Sequence, residues 1–156
     1  MALEIERKFL VRGDGWRAGR RSYLCQGYLN RDQRRTVRVR IAGESAWLTI
    51  KGETSGATRA EFEYPIPVAD ARQLLPLCEP ALIEKHRFVL QHRGVTWEVD
   101  EFLGQNQGLV VAEIELASAD QAFERPDWVG VEVTEDARYY NSNLSRHPFR
   151  NWAAQN

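Results

Sequence analysis

Like charges recur at every second position along this chain, and this spacing constrains its fold more than any other feature. Glu4 and Glu6 are two residues apart, and Lys8 follows at the same interval. In a β-strand every second side chain points to the same face, so these three side chains share one face. The same spacing recurs in Arg38/Arg40, Glu61/Glu63, Lys85/Arg87, Glu98/Asp100 and Glu113/Glu115. A sheet with this pattern directs charge at one face on most of its strands.

Runs rich in β-branched and aromatic residues predict about eight strands, and 156 residues suit one domain spanning 1–156. Short turns between successive runs favour antiparallel neighbours. Helical spacing covers Val68–Cys78, and weaker helical signals cover Asp120–Glu124 and Glu135–Leu144. The strands are expected at residues 3–11, 22–31, 35–42, 45–52, 59–66, 81–91, 94–102 and 108–117. This mainly β (α+β) pattern leaves a closed barrel or a two-sheet sandwich.

The charge pairs favour the barrel. Any single pair could face solvent and make cross-strand salt bridges. The whole set is different, because the pairs have one sign within each strand and have apolar neighbours such as Val37, Val39 and Ile41. An eight-stranded antiparallel closed β-barrel would place the charges in a lumen, as in a tunnel, and the apolar residues outside, under a few covering helices.

Composition excludes several other classes of protein. The 21 basic and 22 acidic residues give a net charge of −1, which indicates neither a nucleic-acid-binding nor a membrane-binding surface. No apolar run is long enough for a membrane span, and Cys25 and Cys78 form no CxxC motif. We expect a cytoplasmic protein with reduced thiols, and the sequence leaves its oligomeric state open, a homodimer included.

A lumen that carries both cations and carboxylates predicts a ligand with both phosphate and metal. Arginine binds phosphate with two parallel hydrogen bonds, and lysine binds it as a point charge. Carboxylates would repel a bare phosphate chain, so we expect them to hold hard divalent cations, which prefer oxygen ligands. This combination is typical of phosphoryl transfer, where catalysis is largely positioning and charge neutralisation.

The segment Glu4-x-Glu6-x-Lys8 resembles the ExExK signature of the CYTH domain superfamily, the triphosphate tunnel metalloenzymes. The later charge pairs, from Arg38-x-Arg40 to Glu113-x-Glu115, follow in the family's order, so the resemblance covers essentially the whole chain. It implies an eight-stranded tunnel enzyme that requires Mg²⁺ or Mn²⁺. Members of the family hydrolyse inorganic, thiamine or nucleoside triphosphates, or cyclise ATP.

The resemblance also implies a role for each matching position. The triphosphate would be held by Lys8, Arg38, Arg40, Lys51, Lys85 and Arg87. The metal would be held by Glu4, Glu6, Glu61, Glu63, Glu113 and Glu115, with Asp100 assisting the metal or the water. Catalysis would depend on Lys8, Glu4, Glu6 and Asp100. Strand parity adds Tyr28 as a substrate contact, and Arg59 as a phosphate ligand or as the charge partner of neighbouring carboxylates.

Inorganic triphosphate is the simplest substrate, because the sequence shows no clear element that would bind a base. A metal-activated water would attack a terminal phosphorus, and Lys8 or nearby arginines would stabilise the pyrophosphate that leaves. Thiamine triphosphate would need an aromatic platform, for which Trp47, Trp97, Tyr28 and Tyr64 are candidates, although packing is the simpler interpretation of each. The alternatives are a nucleoside or thiamine triphosphatase, a class IV-type adenylate cyclase, or a non-catalytic module that binds triphosphate or polyphosphate.

Overall fold

The computed structural model describes residues 2–152, in which two short helices accompany nine strands. None of the helices in this part of the chain is long and apolar enough to cross a membrane. The strands are β1 (Leu3–Val11), β2 (Arg20–Asn30), β3 (Arg35–Ala42), β4 (Ser45–Gly52), β5 (Thr58–Ile66), β6 (Glu79–His92), β7 (Val95–Phe102), β8 (Val110–Glu115) and β9 (Val129–Glu132). The helices are α1 (Val68–Leu74) and α2 (Asn141–Arg146).

Eight of these strands form a closed antiparallel barrel in the order β5-β4-β3-β2-β6-β7-β8-β1. The circle closes where β1 pairs with β5, through Leu3 with Ala60, Glu4 with Arg59, and Ile5 with Thr58. The closed eight-stranded barrel predicted from the charge pattern is therefore confirmed, and the sandwich is wrong. Closure depends on a short pairing, because further along the same edge of β1 Phe9 and Val11 pair with β9.

The ninth strand was not predicted. Phe9 of β1 pairs with Glu132 of β9, and Val11 pairs with Val129, so β9 adds to the barrel wall without entering the circle. A strand of four residues is too short to give a clear period-two pattern in the sequence.

Two of the three predicted helical segments are helical, in shortened form. The segment that begins at Val68 is α-helical only to Leu74 and continues as a 3-10 turn over Leu75–Leu77. Pro76 explains the change, because it lacks the N–H that another α-helical turn requires. The C-terminal signal corresponds to a 3-10 turn at Ala137–Tyr139 followed by α2.

The predicted helix at Asp120–Glu124 is wrong, because this segment has no regular secondary structure. Its Phe123 ring packs instead against Phe9 and Trp97, with centroid distances of 6.1 and 5.9 Å. Tertiary packing of one aromatic ring therefore overrides a weak local preference for helix.

The apolar core lies outside the barrel wall. Phe9 follows Lys8, and Phe88 follows Arg87, so core and lumen residues alternate along the strands. Trp97 has no solvent exposure and packs in the same outer cluster. Because the core covers the outer face, the inner face is free to carry charge.

Candidate active site

Side chains from all eight barrel strands line one internal cavity of about 230 Å³. Residues at every second position supply them, as strand geometry requires. The predicted site residues on this lining are Glu4, Glu6, Lys8, Tyr28, Arg38, Arg40, Lys51, Arg59, Glu61, Glu63, Lys85, Arg87, Glu113 and Glu115. The structure thus brings together every predicted site residue except Asp100.

Carboxylates hold two lysines of the lining. Nζ of Lys8 donates hydrogen bonds to Glu6 at 2.7 Å and to Glu113 at 2.8 Å. Nζ of Lys51 donates to both carboxylate oxygens of Glu4 at 2.9 Å. Burial by itself would lower the pKa of Lys8, but Glu113 and Glu6 raise it well above its usual range. Lys8 therefore remains charged and largely neutralised by its neighbours.

Several carboxylates of the lining face one another across paired strands. Glu6 lies opposite Glu115 in the β1–β8 pairing, and Glu98 lies opposite Glu113 in the β7–β8 pairing. Burial raises the pKa of Glu115, and repulsion from Glu4, Glu6 and Glu98 raises it further. Like charges in directly opposed positions destabilise a sheet, so a cation among these oxygens would relieve the repulsion.

Asp100 lies behind the lining, not on it. It is 1% exposed, and its two oxygens accept hydrogen bonds from Arg87 at 2.8 and 2.9 Å. Nζ of Lys85 lies 2.7 Å from the same carboxylate. Burial would raise the pKa of Asp100, but Arg87 and Lys85 together lower it to about 2. In this arrangement Asp100 positions two cations and does not present oxygen to the lumen.

Because Lys85 shares this carboxylate with Arg87, its charge is only partly compensated. Burial lowers the pKa of Lys85 to about 7, and repulsion from Arg87 and Arg40 acts in the same direction, although Asp100 opposes it. Burial also lowers the pKa of Arg40 to about 9, aided by Arg38 and Arg87. An anion bound here would relieve the repulsion among these cations.

Two arginines of this region carry unsatisfied donors. Nε of Arg38 and Nε of Arg59 are buried and have no hydrogen-bond partner within residues 2–152. A terminal nitrogen of Arg59 donates to the Thr36 hydroxyl at 3.3 Å. Buried donors without partners are costly, so these groups favour a ligand rich in acceptor oxygens.

Uncharged residues that sequence analysis missed complete the site. Thr36 is two residues before Arg38 on β3, so strand parity could have found it. Tyr140, Asn141 and Ser142 also line the cavity, but they come from the start of α2 and its preceding residue. No periodicity places this helix at the lumen, because tertiary packing brings it there.

The lining suits a hard divalent cation by its chemistry. Its candidate metal ligands are carboxylates, and the lining within residues 2–152 contains neither histidine nor cysteine. Burial raises the pKa of Glu4, and Glu61 raises it further while Lys51 lowers it, so another cation is favoured nearby. No three acidic, histidine or cysteine side chains in the described part of the chain already form a metal-binding cluster.

Comparisons with known proteins agree with this geometry. The CYTH domain family matches residues 2–146. An inorganic triphosphatase of Acetivibrio thermocellus is 49% identical over 154 residues, which cover 97% of this chain and 99% of that protein. An inorganic triphosphatase of Nitrosomonas europaea is 38% identical, covering 91% of this chain and 96% of its own length. A solved structure of an inorganic triphosphatase has a TM-score of 0.64 at 38% identity, covering 90% of this chain and 96% of that one.

Proposed function

Because this chain belongs to the CYTH domain family, we propose that it hydrolyses inorganic triphosphate to pyrophosphate and phosphate inside the barrel. The observation that carries the proposal is the lining itself, which places incompletely neutralised arginines next to crowded carboxylates. The arginines suit a chain of phosphates, and the carboxylates suit the divalent cations that such a chain binds.

The cavity favours a substrate without an organic group. Its volume of about 230 Å³ lies below the roughly 300–1,000 Å³ of pockets that hold drug-sized ligands. Trp97, one candidate platform for a base or thiamine, is buried in the outer core, and Tyr64 is 53% exposed. The aromatic residues that line the cavity within residues 2–152 are Tyr28 and Tyr140.

The cations would bind the triphosphate in two ways. Arg38, Arg40 and Arg59 carry charge that no carboxylate fully cancels, so we assign them the main attraction for phosphate oxygens. Lys8 and Lys51 already contact carboxylates. Each lysine would therefore lie between a phosphate oxygen and the carboxylate that it contacts. Asp100 would act indirectly, by holding Lys85 and Arg87 in place. The Tyr28 hydroxyl would donate a hydrogen bond to a phosphate oxygen.

The carboxylates would hold Mg²⁺ or Mn²⁺. The proposed ligands, direct or through water, are Glu4, Glu6, Glu61, Glu63, Glu113 and Glu115. The bound ion would supply charge neutralisation and make a coordinated water more acidic. Carboxylates suit the binding of a divalent cation best among the groups on the lining, because their oxygens, like those of phosphate, are hard ligands.

In the proposed reaction, a water oxygen forms a bond to a terminal phosphorus and loses a proton to the solvent. The bond between that phosphorus and the bridging oxygen breaks, and pyrophosphate leaves with the bonding electrons. Negative charge grows on the bridging oxygen during this step, and Lys8 or the arginines of the lining would stabilise it. Preorganised cations of this kind lower the barrier because they need little rearrangement.

We also propose that the protein works in the cytoplasm. Cys25 and Cys78 are both free thiols. Reduced thiols are usual in the cytoplasm, where glutathione and thioredoxin keep them so.

Phosphate release from inorganic triphosphate, ATP and thiamine triphosphate tests the proposal, each at matched concentration with Mg²⁺, Mn²⁺ or EDTA. We expect release from inorganic triphosphate to be fastest and to stop in EDTA. Glu6→Gln should abolish it, whereas Glu44→Gln, in the exposed turn between β3 and β4, should not. Faster hydrolysis of either organic triphosphate would overturn the substrate assignment. Absence of release from all three, with triphosphate still protecting the fold against heat, would indicate a binding module.

A further inference from the structure

Asn141 joins two cations of the lumen through a chain of hydrogen bonds. Its Oδ1 accepts from Nζ of Lys85 at 2.9 Å and from Nε2 of Gln26 at 3.0 Å. Oε1 of Gln26 in turn accepts from Nε of Arg40 at 2.8 Å. Gln26 is 0% and Lys85 is 1% exposed, so this chain is shielded from water. The positions of Lys85 and Arg40 therefore depend on one another through two amides.

These amides differ in their effect from the carboxylates elsewhere in the lumen. Glu6 and Glu4 orient Lys8 and Lys51, but they also cancel much of the lysine charge. An amide oxygen accepts the same hydrogen bond without carrying a net charge. Arg40, held by an amide, thus keeps its charge for an incoming anion.

Three contacts fix the position of α2, the helix that carries Asn141. The Ser145 hydroxyl donates to the Ala81 carbonyl at 3.0 Å, which ties α2 to β6. Leu144 is fully buried in the cluster that contains Ile83. Nε2 of Gln33, in the turn between β2 and β3, donates to the Ser142 hydroxyl at 2.8 Å. These contacts fix α2 across the side of the cavity formed by β2 and β6.

We propose that Asn141 is a positioning residue that directs Lys85, and Arg40 through Gln26, at one phosphate group of the substrate. It must be uncharged to do so. A carboxylate at this position would neutralise Lys85 and repel the phosphate, even though it could accept the same hydrogen bonds. This inference rests on the proposed function, because it deepens the account of how the same cavity binds triphosphate.

Two substitutions at Asn141 separate charge from packing. Asn141→Asp keeps the shape and both acceptor contacts, whereas Asn141→Ala removes them. A purely structural role predicts that Asp is the milder change. We expect the opposite for activity: KM for inorganic triphosphate should rise at least about tenfold more in Asn141→Asp than in Asn141→Ala, with a smaller change in kcat. Thermal unfolding should show that the Asp variant is at least as stable as the Ala variant.

The control is Asn143→Ala in the same helix. It removes a hydrogen bond that Asn143 donates to the Ala137 carbonyl and one that it accepts from Nε2 of Gln33, on a side chain outside the cavity lining. Its KM should match that of the unmodified protein. A second variant, Gln26→Glu, places a carboxylate at the next position in this chain of hydrogen bonds and should raise KM in the same way. A lower KM in Asn141→Asp than in Asn141→Ala would overturn the inference.

A binding measurement keeps this test separate from the proposed function. Isothermal titration calorimetry with inorganic triphosphate in EDTA needs no turnover, and it should show the weakest binding for Asn141→Asp. If the unmodified protein binds triphosphate without hydrolysing it, the proposed function fails while this ranking can still hold. Equal affinities of the Asp and Ala variants would refute the role of Asn141 whether or not the protein is an enzyme.

Discussion

Arg87 and Asp100 lie directly opposite each other in the β6–β7 pairing, and the arginine donates hydrogen bonds to both carboxylate oxygens, at 2.8 and 2.9 Å. Lys85 shares the same carboxylate at 2.7 Å. One buried anion therefore supports two of the cations that line the cavity. Its removal would leave both cations without their closest counter-charge.

Asp100→Asn should strongly destabilise the fold. Removing one partner from a buried ion pair leaves an uncompensated charge, so we expect the free energy of unfolding to fall by about 3–5 kcal/mol in urea titrations. Glu124→Gln is the matched control, because Glu124 contacts Arg93 at 3.4 Å on the surface. Its effect should stay within about 0.5 kcal/mol. Equal losses in the two variants would contradict the supporting role of Asp100.

Triphosphate binding should be coupled to proton uptake at Lys85. Burial, with Arg87 and Arg40, lowers the pKa of this lysine to about 7. In the free protein the Lys85 side chain is therefore partly deprotonated just above neutral pH. A bound polyanion favours the ammonium form and raises that pKa. Affinity in EDTA should therefore fall as pH rises from about 7 to about 9.

Calorimetry of binding at pH 8, in two buffers with different ionisation enthalpies, measures this uptake. Lys85→Met is the control, because it leaves only the protons taken up by the ligand and by other groups. We expect the unmodified protein to take up more protons than this variant. Identical uptake in the two proteins would show that Lys85 does not titrate on binding.

Arg59 should bind phosphate and not serve as the partner of a carboxylate. Among residues 2–152 its buried Nε has no hydrogen-bond partner, and a terminal nitrogen of Arg59 donates to the hydroxyl of Thr36. Hydrogen bonds to charged groups contribute about 1.5–3 kcal/mol, so Arg59→Met should raise KM for inorganic triphosphate by about tenfold or more. Arg72→Ala, an exposed change on α1, should leave KM unaltered. If Arg59→Met changes the metal requirement but not KM, the assignment is wrong.

Gly27 allows the segment that follows α1 to pack closely on β2. A Cβ at this position would lie 2.7 Å from Leu82 and 2.8 Å from Cys78, closer than packed side chains tolerate. Gly27→Ala should therefore lower the free energy of unfolding by about 1–3 kcal/mol. At Gly52, also in a strand, the added Cβ would meet Ala60 at an ordinary 3.4 Å, so Gly52→Ala should be much milder. Chemical denaturation of both variants compares them, and a milder effect at Gly27 would contradict this packing.

Strand periodicity was sufficient to predict most of the cavity lining. Because side chains alternate between the two faces of a strand, residues two apart, such as Arg38 and Arg40, must share a face. The apolar residues between them had to face the other way, which indicated a covered outer wall and a charged interior. Thr36 follows the same rule and was overlooked because it carries no charge.

The sequence by itself thus determined the closed barrel and its charged interior, because both follow from a local pattern repeated on many strands. Only the tertiary structure decided which charges neutralise each other. In the folded structure Asp100 pairs with Lys85 and Arg87 behind the lining. Lys8 pairs with Glu6 and Glu113, and Arg40 donates a hydrogen bond to the amide oxygen of Gln26. The tertiary structure also brought Asn141 to the cavity from a distant helix. These outcomes depend on strand register and helix packing, which join residues far apart in the chain and leave no periodic signal in it.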